Sequence, residues 1–154
     1  MDVVFVVDSS SSVRRDNFEK VKDFLIKLVD KMQVSHSMTH AGIIHYNHKA
    51  IVDWDLSSDL AQNNTKLKEG IKVIRYKPGG TRTDRAMESA LEMFKPGKGG
   101  RFYVAHVLIV ITDGKTNPSS KSYNDVLKGF KVIRYPRTLR KIYCSSIIII
   151  ATYR

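Results

Sequence analysis

Two aspartates and three hydroxyl side chains stand where predicted secondary-structure elements end. Asp8 follows the apolar run from Val4 to Val7 and opens a row of four serines. Because an extended segment points every second side chain the same way, Asp8, Ser10 and Ser12 are predicted to face one direction. Asp113 follows a second apolar run, and Thr81 follows a Pro-Gly-Gly turn in the loop 78–81. The pattern predicts a cluster of oxygen atoms.

Hard oxygen ligands carrying only two negative charges suit Mg²⁺, which takes six oxygens at about 2.1 Å and usually keeps water. Five protein oxygens, some acting through water, leave at least one position for another ligand. A cation that is held by two carboxylates stays electrophilic, so an Asp or Glu from a partner protein would complete its shell. The sequence does not separate Mg²⁺ from Mn²⁺ or Ca²⁺.

The same residues support an enzymatic function less well than they support a metal site. A phosphatase of the haloacid dehalogenase type needs a second carboxylate two residues after the first, as acid and base, and Ser10 stands there. The serines lack a Gly-x-Ser-x-Gly setting, and the loop 78–81 lacks the lysine of a phosphate-binding loop. Helix capping by Ser12 leaves Thr81 and Asp113 unexplained. The sequence therefore predicts that the protein is not an enzyme.

Alternation of strands and helices predicts an α/β fold, with a doubly wound, mostly parallel sheet and helices on both faces. Ligands of such sheets bind beyond the carboxyl ends of the strands. The predicted strands span 3–7, 41–46, 50–54, 103–111, 130–135 and 147–152. Helices are predicted over 16–32, from 60 to 74, from 86 to 94, from 123 to a break at Gly129, and over 138–144.

The residues Asp8 to Ser12, Gly80-Thr81 and Thr112-Asp113-Gly114 resemble the metal-ion-dependent adhesion site (MIDAS) of von Willebrand factor type A (VWA) domains. The resemblance is of the extracellular-matrix and adhesion kind. It implies a Rossmann-like sheet with one antiparallel edge strand and a metal site made by Asp8, Ser10, Ser12, Thr81 and Asp113. Relatives with this site bind collagen or other matrix proteins through a partner Asp or Glu.

The chain departs from the family pattern in several places. Ser9 and Ser11 stand where glycine is common, and Asp84 places an extra acid near the site. Residues 1–154 are interpreted as a single domain, in which 2–130 match well and 131–154 diverge. The helix that follows the last strand in the family is missing from this sequence. We therefore expect a cation-dependent binding module, in which a switch by movement of that helix requires further residues of the full protein.

A net charge of +11 over 154 residues favours acidic partners. The alternative function is therefore a basic scaffold that binds sulfated glycosaminoglycan or acidic matrix without metal. Nucleic acid is not expected, because Phe102 and Tyr103 are predicted to begin a buried strand rather than to stack on bases. The basic residues assigned to polyanion binding form two groups: Lys95, Lys98 and Arg101; and Lys131, Arg134, Arg137, Arg140 and Lys141.

The expected location is extracellular, with the signal peptide outside this chain. Asn63 begins an Asn-Asn-Thr acceptor pattern for glycosylation. No apolar run reaches the length of a membrane span. His45 and His48 are predicted to be internally satisfied or exposed rather than metal ligands, since they point to opposite faces of a strand and turn.

Overall fold

One sheet organises the molecule, and its strand β1 is central. The computed structural model describes residues 1–113, 116–128, 131–133 and 146–152. The sheet has six strands in the order β3–β2–β1–β4–β6–β5, all parallel except β3, which runs antiparallel to β2. The strands are β1 (Asp2–Asp8), β2 (His40–Tyr46), β3 (Ala50–Trp54), β4 (His106–Thr112), β5 (Lys131–Ile133) and β6 (Ser146–Thr152).

Helices cover both faces of this sheet. They are α1 (Arg15–Asp30), α2 (Asn64–Val73), α3 (Thr83–Met93) and the short α4 (Tyr123–Val126). The stripe Phe18, Val21, Leu25 and Val29 of α1 packs with α2 against Val3, Phe5 and Val7 of β1. Val4 and Val6 point the other way, toward α3. Because alternate residues of β1 enter two different cores, the whole strand is apolar, as is usual for a parallel strand covered on both sides.

The predicted doubly wound fold and its antiparallel edge strand are confirmed. The helix predicted to run from 60 to 74 is instead a short 3-10 helix, Leu60–Gln62, followed by α2. The helix predicted from 123 ends at Val126, before Gly129. The helix predicted over 138–144 lies outside the described residues.

The predicted strand over 103–111 starts too early. The side chains of Phe102 and Tyr103 are 87% and 71% exposed, and β4 begins only at His106. The residues before it form a turn in which the Val104 N–H donates to the Arg101 carbonyl at 3.2 Å. The predicted strand was too long because it rested on apolar character, which does not reveal where the backbone joins the sheet.

A buried lysine anchors the end of α2. The Nζ of Lys22, on α1, donates to the carbonyl oxygens of Lys72 and Ile74 at 3.0 and 3.2 Å. Carbonyls at a helix C-terminus have no partner within the helix, and a cation interacts favourably with that end. Lys22 therefore fixes the point from which the chain leaves α2 toward the loop 75–82.

A buried ion pair lies at the amino-terminal ends of the parallel strands. Asp2 is fully buried, and its carboxylate accepts from Nε and Nη2 of Arg101 at 2.9 and 2.7 Å and from the Arg101 backbone N–H at 2.7 Å. Nη2 also donates to the carbonyls of Met1 and Met38. Arg101 is therefore a structural residue that joins the start of β1 to the segment before β4.

Replacement of Arg101 by alanine is expected to destabilise the domain by about 3 kcal/mol, because it leaves the buried Asp2 carboxylate without its partner. Denaturant unfolding monitored by circular dichroism measures the change. Lys95→Ala is the matched control: Lys95 pairs with Glu92 on the surface, where such a pair contributes about 0–1 kcal/mol. Equal effects of the two substitutions would contradict this role of Arg101.

Candidate metal centre

Asp8 ends β1 at the carboxyl edge of the sheet, and it is 1% exposed. Its Oδ1 accepts from the Ser10 backbone N–H at 2.8 Å. Its Oδ2 accepts from the hydroxyls of Thr112 at 2.8 Å and Tyr46 at 3.3 Å. Since both oxygens are held by neighbours on adjacent strands and the following loop, this carboxylate has a fixed orientation.

Ser10 and Ser12 lie together beside Asp8, as their spacing predicts. Their Oγ atoms are hydrogen-bonded at 3.0 Å. Ser10 is buried and Ser12 is exposed, so this pair of hydroxyls leads from the strand end to the surface. The alternation read from the sequence is confirmed for these two side chains.

Ser9 and Ser11 point the other way and fasten the serine loop to the loop 77–79. The Ser9 hydroxyl donates to the carbonyls of Tyr46 and Lys77 at 2.9 and 3.1 Å. The Ser11 N–H donates to the Gly79 carbonyl, and the Gly79 N–H donates to Ser11 Oγ, both at 3.0 Å. These two hydroxyls replace the flexibility that glycine would give with contacts that hold the loop in place.

Gly79 has a steric reason to lack a side chain. A Cβ atom there would lie 2.9 Å from His48 Nδ1 and 3.2 Å from Asn47 Cβ. The Asn47 side chain also donates to the Lys77 carbonyl at 3.0 Å, and the Arg82 N–H donates to the Asn47 carbonyl at 2.8 Å. The turn between β2 and β3 therefore packs directly on the loop that carries Thr81.

Three residues that support the site were not found by sequence reasoning. Besides donating to Asp8, the Tyr46 hydroxyl is hydrogen-bonded to the Thr83 hydroxyl at 2.9 Å. Tyr76 donates to the Ser10 carbonyl at 3.2 Å. Burial and the nearby Asp8 charge raise the pKa of Tyr46 well above its usual value, so its hydroxyl keeps its proton and remains a donor. The only sequence signal is that Tyr46 ends β2 at the same edge.

Asp113 lies close enough to Asp8 for their charges to interact. The pKa of Asp8 is raised, chiefly because the carboxyl is buried and in part because Asp113 repels its charge. Hydrogen bonds from Ser10 and Thr112 act in the opposite direction. A divalent cation between the two carboxylates would remove the repulsion and offset the cost of burying Asp8.

Thr81 reaches this edge on the loop that Gly79 fastens to the serines. Its carbonyl accepts from the Asn117 N–H at 3.0 Å, which also connects it to the segment after β4. The place of Thr81 as a metal ligand stays a prediction.

Asp84 does not add a free acid to the site. It is 1% exposed, and it accepts from Arg82 Nε and Nη2 at 2.9 and 2.7 Å and from the Lys121 N–H at 3.1 Å. The Arg82 hydrogen bonds hold the pKa of Asp84 well below its usual range. Its carboxylate ties the start of α3 to the segment 116–122.

The donor set fits a small hard cation. Adjacent ligands of an octahedral ion with bonds of about 2.1 Å lie about 3.0 Å apart, and this is the separation of the Ser10 and Ser12 oxygens. No group of three or more His, Cys, Asp or Glu side chains in the described part of the chain forms a softer or more acidic site. Hydroxyls with two carboxylates therefore make up the candidate centre.

The two histidines are arranged largely as predicted. His45 is buried, with Nδ1 2.7 Å from Asp53 Oδ2, and His48 is exposed. Nε2 of His45, however, has no hydrogen-bond partner among the described residues. The pairing of β2 with β3 contains a β-bulge next to the His45–Asp53 pair. Ile43 lies opposite Trp54, whereas the next residue, Ile44, lies opposite Val52. The irregular register leaves Asp53 without an opposing residue.

The first predicted polyanion group is not a free cluster. Lys95 pairs with Glu92 at 2.6 Å and Lys98 lies 3.8 Å from Asp55, while Arg101 is committed to Asp2. Arg101 is thus wrongly assigned to polyanion binding, because its partner lies 99 residues earlier in the sequence. Lys131 begins β5, and Arg134, Arg137, Arg140 and Lys141 lie outside the described residues.

The raised pKa of Asp8 predicts a pH dependence of the metal-free domain. Between the ordinary carboxyl pKa of 3.8 and the raised value, the folded state keeps a proton that the unfolded state has released. The Asp8 contribution to the free energy of unfolding therefore falls as pH rises through this window. Asp8→Asn removes this contribution, so the variant gains stability relative to the wild type toward neutral pH.

Urea unfolding of both proteins in EDTA, from pH 3.5 to 7, measures this difference. Using the difference between the two proteins cancels the other carboxyls, including Asp84. A wild type that becomes more stable relative to Asp8→Asn as pH rises would contradict the prediction.

Comparison with known proteins places this geometry in a family. The family model of the von Willebrand factor type A domain matches residues 2–147. The collagen alpha-1(XX) chain of Mus musculus is 33% identical over 128 residues, which are 82% of this chain and 10% of the relative. Matrilin-3 of Gallus gallus is 34% identical over 119 residues, which are 75% of this chain and 26% of the relative.

Solved structures share the fold. Proximal thread matrix protein 1 from the mussel byssus superposes with a TM-score of 0.70 at 23% identity, over 77% of this chain and 32% of the mussel chain. Another structure of that protein has a zinc-occupied MIDAS motif and gives the same TM-score at 22% identity, over 78% of this chain and 32% of that one. The match to residues 2–147 shows that the chain belongs to the von Willebrand factor type A domain family.

Proposed function

We propose that this domain is a non-enzymatic binding module of an extracellular matrix or cell-adhesion protein, and that it binds its partner through a divalent cation. The observation that carries the proposal is the 3.0 Å pair of Ser10 and Ser12 hydroxyls beside the buried Asp8 carboxylate. One buried and one exposed hydroxyl, together with an oriented carboxylate, favour ion binding over nucleophilic chemistry.

In this proposal Asp8, Ser10, Ser12, Thr81 and Asp113 hold Mg²⁺, with Mn²⁺ or Ca²⁺ as alternatives. Asp8 and Asp113 contribute directly or through water. The ion supplies a positive centre at the surface that an Asp or Glu of the partner can complete. The protein keeps its own carboxylates oriented through hydrogen bonds from Thr112 and Tyr46, so the partner does not have to order them.

The proposed partner is a matrix protein such as collagen, and the proposed location is extracellular. Both are supported by the names of the relatives, which are collagen and matrilin chains. Those chains are much longer than this domain, so the partner is inferred for this module alone. No helix in the described part of the chain is long and apolar enough to cross a membrane.

Asn63 is proposed as a glycosylation site. It is exposed in the turn that begins α2, and its side-chain oxygen caps the helix by accepting from the Lys66 N–H at 3.1 Å. Its position on the surface is compatible with an attached glycan.

Chelation and Asp113→Ala are each expected to abolish binding to immobilised matrix extract while the domain stays folded, because both remove the cation. Loss of metal affinity is measured by calorimetry, binding by pull-down, and folding by circular dichroism. Asp16→Ala is the matched control: it removes an exposed acid from the first turn of α1 at the same edge. Full retention of matrix binding in EDTA and by Asp113→Ala would overturn the proposed function.

A further inference from the structure

Unpaired cations surround the edge of the sheet that carries the candidate metal centre. We call five of them the basic rim: Arg14, Arg15, Lys49, Lys77 and Arg85. All five are exposed, and none of them forms an ion pair with any residue in the described ranges. Their charges are therefore available to a ligand.

Each member of the rim lies on a segment that builds the site. Arg14 and Arg15 follow Ser12 after one buried residue, Val13. Lys49 lies in the turn between β2 and β3, which packs on the loop 77–82 through Asn47. Lys77 is part of that loop, since its carbonyl accepts from the Ser9 hydroxyl at 3.1 Å. Arg85 lies in the first turn of α3.

The rim occupies both faces of the sheet edge. Arg15 begins α1, whose apolar stripe belongs to one core layer, while Arg85 belongs to α3, which covers the opposite face. Lys49 lies toward the β3 side. The positive charges therefore lie on segments from both faces of the sheet.

Many cations farther from the site are compensated. Ion pairs join each of them to an acid on its own surface region: Lys22 with Glu19, Lys66 with Asp59, Lys68 with Asp30, Lys95 with Glu92, Lys128 with Asp125, and Arg101 with Asp2. Lysines without an ion pair to any described residue also lie away from the site: Lys20 and Lys27 on α1, Lys31 just after it, and Lys72 on α2. The rim differs from these because its members belong to the loops, turn and helix starts that meet at the metal edge.

Acidic residues at this edge only partly offset the rim. Asp84 is already paired with Arg82, Asp8 is buried beneath the serines, and the exposed Asp16 on α1 carries one negative charge against the five positive charges of the rim. With a divalent cation bound between Asp8 and Asp113, the local field of the edge becomes more positive still. Such a field attracts a ligand that carries several negative charges close together.

We propose that the basic rim makes the metal centre selective for an acidic polypeptide segment, in which the Asp or Glu that reaches the cation is flanked by further Asp or Glu residues. This inference rests on the proposed function of the same site. An extended peptide advances about 3.3 Å per residue, so acids two to four residues from the metal-bound one fall within reach of the long rim side chains. Each flanking contact is exposed and salt-dependent.

A polypeptide fits this arrangement better than a sulfated polysaccharide. A polysaccharide gains affinity from cations aligned along its length and does not need a metal ion. Here the cations lie on segments from both faces of the sheet, and the proposed centre accepts one carboxylate. The metal therefore fixes one acid of the segment, and the rim on both faces of the edge contacts its neighbours.

The test uses two synthetic peptides of equal length: one with a single Glu between Gly and Ser residues, and one with that Glu flanked by four Glu on each side. Binding to the wild-type domain in Mg²⁺ is measured by surface plasmon resonance at 50 and 300 mM salt, with and without EDTA. Heparin is a third probe. The rim variant carries four substitutions, Arg15→Gln, Lys49→Gln, Lys77→Gln and Arg85→Gln.

The matched control removes the same charge elsewhere, through Lys20→Gln, Lys27→Gln, Lys31→Gln and Lys72→Gln. Arg14 is left unchanged because its φ of 65° is unusual for a side-chain-bearing residue. Circular dichroism and Mg²⁺ titration are used to check that both variants fold and bind the ion.

The wild type is expected to bind the clustered peptide at least about tenfold more tightly than the single-Glu peptide at 50 mM salt, which corresponds to a few exposed ion pairs. The rim variant loses this preference, and the control variant keeps it. Equal binding of the two peptides by the wild type, or an unchanged preference in the rim variant, overturns the inference. Heparin binding that survives EDTA but is lost in the rim variant also overturns it, by assigning the rim to polysaccharide.

These outcomes are separate from failure of the proposed function. If EDTA abolishes binding to matrix extract while the clustered peptide has no advantage, the rim inference fails and the metal-dependent function stands. If the domain binds no divalent ion, both fail.

Discussion

The buried carboxylate of Asp8 is the constraint around which this edge of the molecule is built. A negative charge with 1% exposure is costly, and no cationic side chain within hydrogen-bonding distance compensates it in the described part of the chain. Three donors, from Ser10, Thr112 and Tyr46, orient it without neutralising it. Such an arrangement is a poor way to stabilise a fold and a good way to prepare an ion site.

Charges are paired differently at the two ends of the strands. At the amino-terminal edge of the strands, the buried Asp2 is matched by Arg101, whose Nε and Nη2 both donate to Asp2 Oδ1. At the carboxyl edge, the charges of Asp8 and Asp113 repel each other, and the cations of the basic rim form no ion pair within the described ranges. The charges at one end of the sheet are paired within the protein. The carboxylates and cations at the other end can interact with an ion and a ligand.

Sequence periodicity predicted the parts of the site that are local in the chain. Alternation along an extended loop placed Ser10 beside Ser12, and the ends of two apolar runs placed Asp8 and Asp113 at one edge. The fold followed from the same alternation of strands and helices. Contacts between distant segments were not predictable: nothing near Tyr46 indicates that its hydroxyl reaches Asp8, and nothing near Arg101 indicates Asp2. Thr81 was assigned by resemblance, since its loop has no periodicity of its own.

The anchored loop 75–82 has a kinetic consequence. Lys22 fixes its beginning at the end of α2, the Ser9 and Ser11 hydroxyls fasten its middle, and the Asn47 carbonyl holds Arg82 at its end. Little chain entropy remains to be lost when a ligand arrives. If the domain binds Mg²⁺ as proposed, the slow step of association would then be the departure of a water molecule from the ion, so replacing the ion by one with faster water exchange would accelerate capture without any change in the protein.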